Sequence, residues 1–355
     1  GRDRLRGHYQ RQNLHIRMGI VLTFNPYPIP GKKMSRPIKK SLRPIVLCGY
    51  RTIMEIIKPE SKDHWLRLRT QDITSTEIGC LFGISPYMTE FELWHRKKLG
   101  DSVSIEPNER MIWGSRLEGA IAQGVAEDNK WSVRRMDEYI RDPELRLGAS
   151  FDYMIEPGAA LLEIKNVDSL AFRDGWIVHD DGALEAPPHT EMQVQHQMLV
   201  SGQNHAHLAA LVGGNTVKMI ELEADAEIAD AIRSKAAAFW DSVKKNIPPE
   251  PDFTRDSQFI AKLLVNSDPN KIMDATSDET LWMLAEDYKR YADDEKNAKA
   301  GKDMVKAKIL RVAGDASKIF GRGFTISAGT TAPTIIKQYE RAGFRNFKIN
   351  WAKSK

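Results

Sequence analysis

The chain has 355 residues, 41% of them hydrophobic, enough for a large core and more than one domain. Its net charge of +4 is unevenly spread: residues 1–43 hold 11 Lys/Arg against the single acid Asp3, and the rest holds 41 basic and 47 acidic side chains. That excludes a uniformly basic nucleic-acid-binding body, so any such contact rests on local patches or metal ions.

No run of about 18 apolar residues could span a bilayer, and no signal-peptide layout opens the chain. Cys48 and Cys80 alone cannot build a disulfide framework or a four-cysteine cluster. The expected compartment is a reducing cytoplasm.

In chain order, "NPYPIPGKK" and "SRPIKKSLRP" punctuate a basic N-terminal arm, expected to be flexible over residues 1–50, with Met34 as the expected start. Regular patterning begins near Asp63. "TSTEIGCLFG" and "TEFELWHRKKLG" predict short helices, and "NERMIWGSRLEGAIAQGVAEDN" a longer one with Trp113, Leu117, Ile121 and Val125 on one side. Strands are predicted at "WSVRRMDEYI", "LRLGASFDYMI" and "ALLEIKNV", then a helix at "TEMQVQHQMLVSG", strands at "AHLAALV" and "TVKMIELE", and a helix at "AEIADAIRSKAAAFWDSVKKN". This order predicts an α/β domain over residues 51–250, with helices around a central mixed sheet. "IPPEPDFTRD" predicts a linker to a C-terminal region, 257–355. There Leu281, Leu284, Tyr288, Tyr291, Ala298, Val305 and Ile309 keep heptad spacing, broken by Glu295 and Lys302, which predicts a solvated helical hairpin on the body rather than an oligomeric coiled coil. The tail, 316–355, interleaves eight Lys/Arg with Phe324, Tyr339, Phe344, Phe347 and Trp351 against the single acid Glu340. That composition suits either a surface that tracks phosphates and stacks bases or a small packed β-hairpin.

The stretch Gly148–Val167, "GASFDYMIEPGAALLEIKNV", sets Asp152, Glu163 and Lys165 inside apolar strands. Alternation along a strand puts Glu163 and Lys165 on one face, with Leu162 and Ile164 on the other. Two carboxylates converging on one point repel unless a cation joins them, and oxygen ligands suit Mg²⁺ or Mn²⁺. A lysine beside such a metal orients water or neutralises developing charge, the chemistry of metal-assisted phosphodiester hydrolysis. The same pattern also arises on an ordinary charged sheet edge. Upstream, "WGSRLEG" places Glu118 on a helix among small residues. Downstream, "EMQVQHQM" sets Gln193 and Gln197 one helical turn apart, so both can face one site.

In "RLRTQDITSTEIG", Thr74 and Glu77 predict a capping box. Arg69, Ser75 and Thr76 around a helix start would suit a phosphate. His189, His196, His205 and His207 are expected at ordinary polar positions, without zinc-ligand spacing. No Walker A phosphate loop is present.

Over roughly residues 64–243, through "HWLRLRTQDITSTEIG", "WGSRLEG", "SFDYM", "LEIKN" and "EMQVQHQM", the chain resembles the phage lambda exonuclease and YqaJ-type viral recombination nucleases of the PD-(D/E)xK superfamily. The superfamily's proline is replaced by Phe151, a variable position. The resemblance implies a restriction-endonuclease-like core and two divalent ions, Mg²⁺ with Mn²⁺ as the alternative, held by Glu118, Asp152 and Glu163. It implies Lys165 as catalytic lysine and Gln193 as an active-site glutamine. It further implies that Arg69 and Thr76, with Ser75 nearby, take the 5′-phosphate of a DNA end. The implied activity is 5′→3′ digestion of linear double-stranded DNA that leaves 3′ single strands for recombination. A single-strand annealing protein is the implied partner, and a homotrimer the family's assembly. Spacing alone equally fits an endonuclease on the same fold, and a non-catalytic DNA-binding protein is the reading from another class.

Overall fold

The computed structural model describes residues 41–47, 50–100, 108–158, 160–268 and 270–331, all within the unit Ser41–Lys355. Of the predicted basic arm, residues 1–40 lie outside these. The arm's last part is not an arm, because β1 (Ser41–Leu47) pairs antiparallel with β2 (Tyr50–Ile57). Next come α1 (Lys62–Gln71), β3 (Ile73–Thr74), α2 (Ile78–Leu81), α3 (Glu90–Leu99) and α4 (Glu109–Asn129). The strands β4 (Val133–Arg135), β5 (Tyr139–Asp142), β6 (Leu147–Ser150), β7 (Tyr153–Ile155) and β8 (Ala160–Val167) follow. Then come α5 (Ser169–Gly175), the ribbon β9 (Ile177–Val178) and β10 (Leu184–Glu185), α6 (Pro188–Ser201), β11 (His205–Val212), β12 (Thr216–Glu223) and α7 (Ala226–Lys245). The described chain closes with α8 (Phe253–Leu263), α9 (Glu279–Ala313), β13 (Lys318–Gly321) and β14 (Phe324–Ser327).

The helices start and stop where local chemistry directs. The Thr89 hydroxyl accepts from the Glu92 N–H to open α3, and Gly100 closes it at φ 63°. Asn108 opens α4 in the same way. Pro188 stands in the first turn of α6, and Gly202 ends that helix at φ 74°.

The predicted mixed α/β domain is present, but as two five-stranded sheets in place of one. Their orders are β1-β2-β5-β6-β3 and β12-β11-β8-β7-β4, each with parallel and antiparallel pairs. Two segments predicted as single strands are divided between the sheets: "WSVRRMDEYI" supplies β4 and β5, and "LRLGASFDYMI" supplies β6 and β7. On β8, Leu162 and Ile164 face α4, packing against Ile121, Ala122 and Val125. Trp113, predicted on that buried side, is 49% exposed. The opposite face holds α6, whose Val194 and Met198 share the main core with Leu147, Leu161 and Phe239.

The predicted linker contains the start of α8, which docks on the body. The buried Asp256 accepts from the Thr89 hydroxyl at 2.5 Å, and Arg255 donates to the Ser85 carbonyl. α9 is a single helix of 35 residues, not a hairpin, and none of its residues is buried. Residues 332–355, most of the predicted tail, lie outside the described residues; β13 and β14 form a two-stranded ribbon before them. Among the described residues no helix is long and apolar enough to cross a membrane.

Candidate nuclease site

β7 runs antiparallel to β8 with Tyr153 opposite Leu162, so the residue before Tyr153 comes abreast of Glu163. That residue is Asp152, at the break where the chain leaves one sheet for the other. One Asp152 carboxylate oxygen accepts the Ile164 backbone N–H at 2.8 Å. Burial and the neighbouring Glu163 charge together push its carboxyl up to about 8.

Glu163 is buried and fully engaged. Its Oε1 accepts from Lys165 Nζ and Gln193 Nε2, each at 2.6 Å, and its Oε2 accepts from Gln197 Nε2 at 2.8 Å. Lys165 also donates to Gln193 Oε1 at 3.0 Å. Burial works against the lysine charge, but Glu163 and then Asp152 outweigh it and hold the Lys165 pKa above the usual value. Gln193 and Gln197 therefore face one site, as their spacing predicts.

Glu118, on α4, pairs with Arg135 at 3.6 Å. Burial raises its pKa, Arg135 opposes that, and Glu163 adds to it, so Glu118 shares the electrostatic field of the site. Among the described residues, no three acids, histidines or cysteines are gathered tightly enough to hold a metal ion. The donor chemistry nevertheless fits one: hard carboxylate oxygens, and in Asp152 a carboxyl short of counter-charge, are what Mg²⁺ or Mn²⁺ would satisfy.

At the other end of the site, Arg69 donates to the hydroxyls of Thr76 at 3.0 Å and Thr74 at 3.3 Å, and its guanidinium lies 4.7 Å from the Trp65 ring centre. Ser75 is buried beside them, and Thr76 is exposed. The predicted capping box is only half made. Thr74 belongs to β3, and its N–H and hydroxyl both donate to Glu77 Oε2, at 2.9 and 2.8 Å, while α2 begins only at Ile78. Lys97 Nζ completes the cluster at 2.8 Å from that oxygen. Although burial would raise it, Lys97 and Arg69 hold the Glu77 pKa below the usual range.

A relay of contacts joins the two ends. Trp65 Nε1 donates to Ser150 Oγ at 2.8 Å, and the Ser150 carbonyl accepts from Gln197 at 3.1 Å, the same amide that holds Glu163. Trp65, Lys97, Ser150 and Arg135 went unnoticed in the sequence. Their partners lie far along the chain, and the one signal was the unexplained Trp65 amid "HWLRLR".

The histidines are scattered. His196 is buried on α6 with neither ring nitrogen paired among the described residues. His189 meets the edge of the exposed Tyr87 ring at 5.7 Å between centres, and His207 lies against Trp131. His205, exposed, begins β11. Burial pushes the Cys80 thiol up to about 12.

The family profile of the YqaJ-like viral recombinase domain matches residues 64–204. The uncharacterized protein YqaJ of Bacillus subtilis (strain 168) is 31% identical over 222 residues, covering 61% of this chain and 68% of that one. Among solved structures, an alkaline exonuclease from Laribacter hongkongensis aligns with a TM-score of 0.45 at 17% identity, over 57% of this chain and 100% of that one. A phage-related exonuclease from Haemophilus somnus 129PT aligns with a TM-score of 0.39 at 11% identity, over 50% and 95%. Fold and family together make the protein a mixed α/β protein with a YqaJ-like viral recombinase domain. The chain belongs to the YqaJ-like viral recombinase family.

Proposed function

We propose that the protein is a Mg²⁺-dependent 5′→3′ exonuclease on linear double-stranded DNA, producing 3′ single strands for recombination in a bacterial or phage-infected cytoplasm. The observation that carries this reading is the relay from Arg69 and Thr76 through Trp65, Ser150 and Gln197 to Glu163 and Lys165. It ties a candidate phosphate clamp to a candidate hydrolytic centre.

Glu118, Asp152 and Glu163 would hold the divalent ions, Mg²⁺ or Mn²⁺. Such an ion, when bound, makes a water nucleophilic at neutral pH and neutralises charge on the phosphodiester. Lys165, kept protonated by Glu163, supplies a fixed ammonium for the attacking water or the developing negative charge. Gln193 and Gln197 restrain Glu163, so that its lone pairs keep one orientation. Arg69 offers a planar, charge-assisted donor to a terminal 5′-phosphate, with the Thr76 hydroxyl and Ser75 beside it. A single-strand annealing partner and a homotrimer would complete this reading.

The test is a side-by-side digestion in Mg²⁺ of 5′-phosphorylated linear duplex, 5′-hydroxyl linear duplex and closed circular DNA, with a chelator control. The first should disappear fastest and the circle should persist. Cutting of the circle would replace this reading with an endonuclease. Inertness toward all three, with no Mg²⁺ binding by calorimetry, would leave a DNA-binding protein on a nuclease fold.

A further inference from the structure

Among the described residues, the long helix α9 buries none of the side chains of its apolar seam. None of its residues is buried, and Leu284, Val305 and Val312 are 59%, 50% and 87% exposed. At 35 residues it extends about 52 Å at 1.5 Å per residue. A long exposed helix with an apolar seam at heptad spacing is the form of one strand of a coiled coil.

Charge along the helix decides which partner fits. Residues 279–295 hold six acids and two bases, whereas residues 296–313 hold six bases and one acid. The seam itself reads symmetrically about the Lys296–Asn297 bond. Turned end for end, a second copy brings Leu281 level with Val312 and Leu284 level with Ile309. The acidic half of each copy then lies against the basic half of the other. The same register places Glu295 of one copy one helical turn from Lys302 of the other. The two residues that interrupt the apolar seam thus become each other's counter-charge. A parallel pair would instead set Glu295 against Glu295 and Lys302 against Lys302, with the acidic halves side by side, and like charges at such positions are repulsive.

We propose that α9 is a self-association element that docks on α9 of a second copy of this chain in an antiparallel coiled coil. The pairing is separate from the nuclease core and does not depend on its activity. It would tether two nuclease bodies at opposite ends of one rod, or join one ring-shaped assembly to another.

The test compares full-length proteins by light scattering and by cross-linking. The double variant Leu284→Glu/Val305→Glu, with an unchanged circular-dichroism spectrum, should fall to half the wild-type mass or less. Glu295→Lys, a surface change that cannot unfold the core, should shift the mass toward the smaller species. Adding Lys302→Glu to it should restore the larger one. A mixture of Leu281→Cys and Val312→Cys proteins should form a disulfide-linked dimer above the baseline that Cys48 and Cys80 give in the wild type. Equal masses for wild type and double variant would overturn the proposal, meaning that the seam is solvated or covered by its own chain. A cross-link within the Leu281→Cys protein alone would overturn the antiparallel arrangement.

Discussion

Asp152 sets a cost to the fold against the metal-binding role proposed for it. Its carboxylate keeps a single backbone donor, Ile164 N–H, while burial and Glu163 both disfavour its charge. Replacing it by Asn keeps the shape and removes that conflict. The Asp152→Asn protein should lose cleavage by about a thousand-fold or more, the scale of losing a metal's several kcal/mol of charge stabilisation. Its metal-free thermal melt should not fall. Substantial residual cleavage would remove Asp152 from the proposed ligand set. His196 poses the opposite case, a fully buried ring held neutral. Burial drives its pKa down to about 3, with Glu77 offsetting only part of this. The unfolded chain therefore takes up a proton below about 6.5 that the folded chain refuses until about pH 3, and each unit in that window costs about 1.4 kcal/mol. His196→Leu, which also removes two unpaired nitrogens, should raise the melting temperature far more at pH 5 than at pH 7.5. An equal gain at both pH values would mean that the ring does not resist protonation. Asp152, Glu163 and Lys165 were legible because charges inside apolar strands are conspicuous. Trp65 and Arg135 were not, because an indole–hydroxyl contact across 85 positions, or an ion pair between helix and strand, leaves no local period.

At the scale of elements, period-two patterning found the strands but not the places where two of them change sheets. Both "WSVRRMDEYI" and "LRLGASFDYMI" read as continuous, since Trp131, Val133, Tyr153 and Ile155 pack in one layer while Met136, Ile140, Leu147 and Ala149 pack in another. The second switch matters most, because it leaves Asp152 outside either ladder, free to lie abreast of Glu163. Its geometry rests on Gly148 in β6. A methyl group there would stand 2.0 Å from the Tyr139 hydroxyl oxygen and 2.5 Å from its ring. Tyr139 cannot easily move, being fully buried with its hydroxyl on Asp72, which Arg141 also holds at 2.6 Å. Gly148→Ala should therefore destabilise the protein by about 1–3 kcal/mol, read as a lower urea midpoint. An unchanged midpoint would show that the tyrosine has room to swing aside. The capping box misled for a related reason. Glu77 does reach back to the Thr74 N–H, as the motif requires, but Thr74 is already committed to the parallel pairing of β3 with β6. Tertiary pairing therefore took over a residue whose local chemistry announced a helix.

For the whole molecule, the heptad was legible but its setting was not. The predicted hairpin needed a break, yet the Asp278 cap starts α9 and no proline interrupts it before Gly314. Gly301 alone does not stop a helix of this length. The charge map raises a second question, because on the proposed reading residues 44–355, with 47 acids against 41 bases, approach a polyanion. Basic segments near both ends of the sequence are where such attraction would concentrate. Residues 332–355 carry six Lys/Arg and only Glu340, interleaved with Tyr339, Phe344, Phe347 and Trp351. Neutralising a phosphate releases counterions, so each contact steepens the fall of log affinity with log salt by about 0.9. If this segment meets about three phosphates, a chain ending at residue 331 should show a slope flatter by about 2.7 units. Binding to linear duplex in Ca²⁺, which prevents cleavage, across a salt series for both proteins gives that slope directly. A folded truncation with an unchanged slope would place the phosphate contacts in the basic segment 1–43 or at Arg69, and would assign the aromatic-rich end to packing or to a protein partner.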